Sequence, residues 1–153
     1  MRVLPYDPDF VARVRGGGPD AYGRAAESAT SGGAGHPCRC CLRNIDEGEA
    51  MLVLSARPFP TPQPYAETGP IFLHAHACVP WQGPGIPPVL TTSVQYLVKA
   101  YGATDRILSG SGAVVAAADL ADAVNDRLGR EGVAFVDVRS AVNNCFLARA
   151  VAD

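Results

Sequence analysis

The sequence predicts an α+β domain with a largely antiparallel sheet, one or two helices and a zinc-knuckle-like N-terminal part. Three observations lead there. Short apolar stretches bounded by Gly, Pro and Asp recur along the chain, as antiparallel strands and turns require. Only "DLADAVNDRLG" (119–129) carries a clear helical stripe. Finally, cysteine and histidine concentrate in two short windows, 38–41 and 74–78.

At 153 residues the chain is long enough to bury one core. The reading is a domain over 35–153, preceded by an N-terminal segment, 1–34, with a Gly/Ser-rich linker. Residues 1–15 read as a short strand or helix. In "GGGPDAYGRAAESATSGGAG" (16–35) a short helix over 20–28, capped by Asp20, is expected, and the flanking glycines make the rest loop. "AMLVLSAR" (50–57) reads as a buried strand. The alternate prolines at 58, 60, 62 and 64 impose extended backbone and remove four N–H donors, so this stretch is a rigid crossing loop or a ligand for an SH3-type partner.

"GPIFLHAHAC" (69–78) reads as a second strand. Residues 94–101 fit both helix and strand periods, but "GATD" and "RILSG" after them favour a hairpin. "AVVAA" is a strand. The 119–129 helix places Leu120, Val124 and Leu128 on one stripe, with Asp119 at its start and Gly129 at its end. "VAFVDVRS" and "NCFLARAV" form two further strands joined through "AVNN".

Composition narrows the function. A net charge of −2 argues against nucleic-acid binding, and Arg13, Arg15 and Arg24 read as solvated charges. The longest apolar run, "AVVAAA" (113–118), is far too short to span a membrane. "MRVLPYDPDF" does not resemble a signal peptide, so a cytoplasmic location is expected. Five cysteines, two of them adjacent, suit a disulfide framework poorly; in a reducing compartment such clusters point to metal or catalysis.

Cys38 and Cys41 have the C-x2-C spacing that lets two thiolates converge on one tetrahedral ion, and Gly48 can turn the chain back into the next strand. If 72–78 is a strand, His74, His76 and Cys78 share a face. If a helix begins near 74, only His74 and Cys78 do. The economical site is therefore Cys38, Cys41, His74 and Cys78, a Cys3His zinc set with spacing C-x2-C-x32-H-x3-C. The plainer alternative is small core cysteines and surface histidines. Four protein ligands make a closed, structural site; with one fewer, an open position would admit water and His76 could carry protons.

Cys145 reads as strand packing or as a nucleophile awaiting a base. Arg39 could hold a carboxylate or phosphate, or pair with Glu47, Glu49 or Glu67. "GSG" (110–112) lacks the context of a phosphate-binding loop.

Five short elements carry a resemblance: "PCR" (37–39), "GE" (48–49), "PY" (64–65), "GPIF" (69–72) and the final strand pair ending in "CFLAR". On these the chain resembles a bacterial family, the domain of unknown function 1203, over roughly 35–151. The resemblance implies a fold more than an activity, and it implies that Cys38, Arg39 and Cys145 belong to a common pattern.

The first expectation is thus a small soluble protein holding one zinc ion, mainly for structure. The second is a small-molecule enzyme using zinc-bound water or a thiol, with Cys38, Cys40, His76 and Cys145 as candidates and Arg39 as anion anchor. The third is an interaction module using the proline-rich loop 58–64. None involves a nucleic acid or a membrane.

Overall fold

The computed structural model describes residues 1–153. Two antiparallel sheets and two helices make up the fold. The strands are β1 (Arg2–Leu4), β2 (Glu27–Thr30), β3 (Ala50–Ala56), β4 (Gly69–His74), β5 (Gln95–Tyr101), β6 (Ala113–Ala116), β7 (Phe135–Ser140) and β8 (Phe146–Val151). The helices are α1 (Pro8–Arg15) and α2 (Leu120–Leu128). The larger sheet runs β1-β8-β7-β5-β6 and the smaller β2-β3-β4. Residues 1–34 supply an edge strand to each sheet and the helix α1. No helix is long and apolar enough to cross a membrane.

Strand alternation divides the larger sheet into two unlike faces. Val98, Ala100, Val136, Val138, Ala148 and Ala150 pack against Leu120 and Val124 of α2. The opposite face carries charge: Lys99 stands across from Asp137, and Asp137 across from Arg149. Asp137 is fully buried and accepts from Arg149 Nε at 2.7 Å and Nη2 at 3.1 Å. A second core joins α1 to the smaller sheet through Phe10, Val11, Val14, Ile45, Leu54 and Leu73. Three of the cysteines lie inside it.

The strands expected at 50–57 and in the C-terminal third form, and Asn144 adopts the left-handed backbone its turn requires (φ 56°). Other expectations need correction. No helix forms over 20–28. Asp20 instead accepts the N–H groups of Tyr22 and Arg24, tying a tight turn, and that of Ser55, tying the turn to β3. The strand at 69–78 stops at His74. Residues 106–110 make only an isolated bridge, Ile107 with Tyr101, and β6 takes the edge of β5 instead. Asp119 is already helical and gives α2 no side-chain cap, while Gly129 ends the helix at φ −77°, without a left-handed turn.

Candidate metal centre

The knuckle is a tight reversal. The Cys38 N–H bonds Arg43 O at 2.8 Å and the Leu42 N–H bonds Cys38 O at 3.0 Å. Leu42 is forced to φ 52°, an uncommon conformation for an apolar side chain, and its burial in the main core holds it there. The Arg39 N–H reaches Phe72 O at 3.1 Å, which docks the knuckle beside β4. Gly48 turns the chain into β3 at φ 84°.

This docking brings the ligand atoms of Cys38, Cys41, His74 and Cys78 within 4.8 Å of one another. The Cys38 and Cys78 sulfurs are 3.9 Å apart, and Cys41 Sγ lies 3.6 Å from His74 Nδ1. All four sequence-predicted ligands therefore meet, and together they can hold a metal ion. His74 closes β4 and Cys78 lies four residues beyond it on irregular chain. The pair converges without either the continued strand or the helix that the sequence suggested.

Electrostatics sharpen the picture. The Cys41 thiol beside Cys38 favours the Cys38 thiolate, against the cost of burial and helped by the N–H groups of Cys41, His74 and Cys40. The same contact, with burial, keeps the proton on Cys41. Arg15 of α1 donates from Nη2 to Cys78 Sγ at 3.0 Å and from Nε to His74 O at 3.1 Å, and its Nη1 lies 4.0 Å from Cys40 Sγ. Burial opposes the Arg15 charge, but Cys78, Cys40 and Cys38 outweigh it and raise its pKa. Glu49 Oε2 stands 3.3 Å from His74 Nε2.

The remaining candidates fall elsewhere. Cys40 is buried, and burial together with Cys78 pushes its thiol up. His76 is exposed, its ring 5.0 Å from that of His74; with Glu49 and His74 it forms a second, more open cluster. His36 turns away to Ser31 Oγ and the Phe72 ring. Arg39 is 2% exposed and pairs with none of Glu47, Glu49 or Glu67. It donates to the carbonyls of Phe146 (2.8 Å) and Pro37. Burial lowers Arg39 to about 10, opposed by nearby Cys145 and Cys38.

Cys145 is half-buried in a separate cleft of about 320 Å³, lined also by Glu67, Thr68, Arg139, Asn143 and Asn144. No histidine lines this cleft. The proline-rich loop is pinned by Phe59, buried against Tyr101 and Phe135, and by Gln63, which donates to Asp105 O. Sequence reasoning missed Arg15 and Glu49, which touch the centre from outside. Arg15 carries no local signal, since its role exists only once α1 packs against the knuckle.

These features define a class: an α+β protein with a buried thiol-imidazole centre. The chain belongs to the DUF1203 family, described as "Protein of unknown function (DUF1203)", whose model matches residues 35–151. No curated protein and no solved structure matches it.

Proposed function

We propose that this protein is a small zinc protein whose ion, held by Cys38, Cys41, His74 and Cys78, serves mainly to fix the fold. The convergence of the four ligand atoms carries the reading. A tetrahedron with Zn–S legs of about 2.3 Å has S–S edges of roughly 3.8 Å, and a shorter Zn–N leg of about 2.0 Å gives an S–N edge near 3.5 Å. The Cys38–Cys78 separation of 3.9 Å and the Cys41–His74 separation of 3.6 Å match both. Three sulfurs and one imidazole form a borderline-soft donor set that suits zinc and disfavours calcium or magnesium.

Four protein ligands leave no position for water, which favours a structural ion over a catalytic one. The ion would join the knuckle to the end of β4 across the long excursion from 42 to 73. Sites of this kind contribute on the order of 10 kcal/mol of apparent binding energy to folding.

The test is elemental analysis of protein purified without a metal-affinity tag, with thiol counting before and after chelation. One zinc per chain, with the ligand thiols of Cys38, Cys41 and Cys78 reacting only after chelation, is the expected result. A metal-free protein with full thermal stability overturns the reading. Cys41→Ser and Cys78→Ser should each lower both zinc content and stability.

A further inference from the structure

Helix α1 carries two arginines with different fates. Arg15 reaches the thiol centre. Arg13, two residues earlier and so about 200° around the helix, lines a groove of about 640 Å³. Its walls come from four parts of the chain: residues 4–13, Ala21, residues 57–60, and β8.

The groove is strongly unbalanced in charge, although the whole chain is slightly acidic. Arg13, Arg57 and Arg149 line it, against one carboxylate, Asp7, which is occupied in capping α1. Arg149 is neutralised by Asp137. Arg13 and Arg57 are not. Each donates its Nε to a backbone carbonyl, Pro19 O at 3.1 Å and Phe59 O at 3.3 Å, and neither joins an ion pair. Their Nη groups keep the forked donors that match a carboxylate, sulfonate or phosphate.

Apolar surface lies beside this charge. Phe10, Phe59 and Phe146 line the same groove, each at most 8% exposed. Tyr6 sits among them, its ring 5.0 Å from Phe10 and 6.0 Å from Phe146. The Tyr6 hydroxyl makes no protein hydrogen bond; burial and the Asp7 carboxylate raise its pKa, against the opposing pull of Arg149, Arg57 and Arg13. A cavity of this size, mostly apolar with a few convergent polar groups, suits a small organic molecule.

We propose that this groove binds an aromatic organic acid, with the ring against the phenylalanine floor and the anionic group at Arg13 and Arg57, and with the Tyr6 hydroxyl as a further donor. The site is independent of the metal centre. Eight of its fourteen lining residues, Tyr6, Phe10 and Arg13 among them, lie outside the segment matched by the family.

The test is a fluorescence titration of the full chain as purified with 8-anilinonaphthalene-1-sulfonate, followed by competition with 2-naphthoate and with its neutral counterpart, 2-naphthamide. One saturable site per chain is expected, displaced by naphthoate and not by naphthamide, and weakened by high KCl. The Arg13→Gln/Arg57→Gln pair should weaken binding about tenfold or more, the loss of charge-assisted hydrogen bonds, with an unchanged thermal midpoint. Equal displacement by naphthamide, or undiminished binding in a folded double variant, overturns the proposal. Should the double variant fold poorly, the salt dependence and the naphthoate–naphthamide comparison decide on the unaltered protein.

Discussion

Arg15 donates to the Cys78 sulfur at 3.0 Å while also holding the His74 carbonyl at 3.1 Å. One side chain from the N-terminal helix thus touches two of the four residues of the thiol centre. A divalent ion bound by three thiolates and an imidazole carries one net negative charge, and Arg15 supplies the matching positive charge in a partly desolvated setting. Groups that orient and neutralise metal ligands typically affect metal affinity by about 10–100-fold. Arg15→Ala should therefore weaken zinc binding about tenfold, measured by competition with a chromogenic chelator, and Arg15→Lys should recover part of the loss. An unchanged affinity in Arg15→Ala would reduce the contact to packing.

Glu49 acts on the same centre from the other side. Its Oε2 lies 3.3 Å from His74 Nε2, while His74 Nδ1 faces Cys41. With a metal on Nδ1, Glu49 would hold the proton on Nε2 and orient the ring. Glu49→Ala should weaken zinc binding about tenfold by removing that orientation. Glu49→Gln, which keeps an acceptor oxygen, should cost less. Equal loss in the two variants would point to charge rather than tautomer control.

Much of the thiol-imidazole centre was legible because its key pair did not depend on the secondary structure assigned. His74 and Cys78 share a face in a strand and in a helix, so the two could be joined before the local structure was known. The chain adopts neither, and the i, i+4 spacing still suffices. His76 was placed beside them only by the strand alternative, and with β4 ending at His74 it is exposed. The α2 stripe was legible for a similar reason, since three apolar residues at fourfold spacing admit few other readings. The errors arose where local chemistry is degenerate. An aspartate that could cap a helix serves equally well in a turn, which is what Asp20 does. "GATD" signals a reversal, but the strand that fills the edge of β5 is set by sheet pairing, and β6 wins that position over 106–110. Arg13 and Arg57 could not be associated from sequence, because the chain between them carries no pattern linking them.

Asp20 gives a pH-dependent prediction. Its Oδ1 accepts from Tyr22 N at 2.9 Å and Arg24 N at 3.0 Å, and its Oδ2 from Ser55 N at 2.9 Å. Burial opposes the carboxylate, but the hydrogen bonds from Ser55, Arg24 and Tyr22 prevail and lower its pKa. A carboxylate depressed in the folded state stabilises the fold above its unfolded pKa of about 3.9, and that stabilisation disappears as pH falls through the lower folded value. Asp20→Ala should cost about 1–3 kcal/mol near neutral pH. In urea unfolding followed from neutral pH into acid, the gap between the parent and Asp20→Ala should narrow below about pH 4. A gap that stays constant through acid would mean that the turn does not rest on the ionised carboxylate.

Leu120 tests the α2 interface. It is fully buried at the start of the helix, within the core beneath the larger sheet. Leu120→Ala removes three carbons and leaves a cavity that the antiparallel strands below cannot easily close. A loss of about 2–5 kcal/mol is expected in chemical denaturation. A loss under about 1 kcal/mol would show that α2 shifts to refill the space. Since α2 does not touch the thiol centre, zinc stoichiometry at saturation should be unaffected.

Cys145 separates a closed metal centre from an open one. Of the five thiols, Cys38, Cys40 and Cys41 are buried and only Cys78 and Cys145 are half-buried. In a closed zinc site Cys78 is masked twice, as a ligand and as the acceptor from Arg15. Cys145 has only a weak contact to Asn143 O at 3.7 Å and lines a cleft open to solvent. Iodoacetamide on zinc-loaded protein should therefore modify one thiol rapidly, and peptide mapping should place it at Cys145. Cys145→Ser should abolish the rapid phase and leave zinc content intact, with a stability change within about 1 kcal/mol. Rapid labelling of Cys78 in loaded protein would mean that this sulfur leaves the ion readily. The centre would then have an open coordination position, and the balance would move from a structural toward a catalytic zinc.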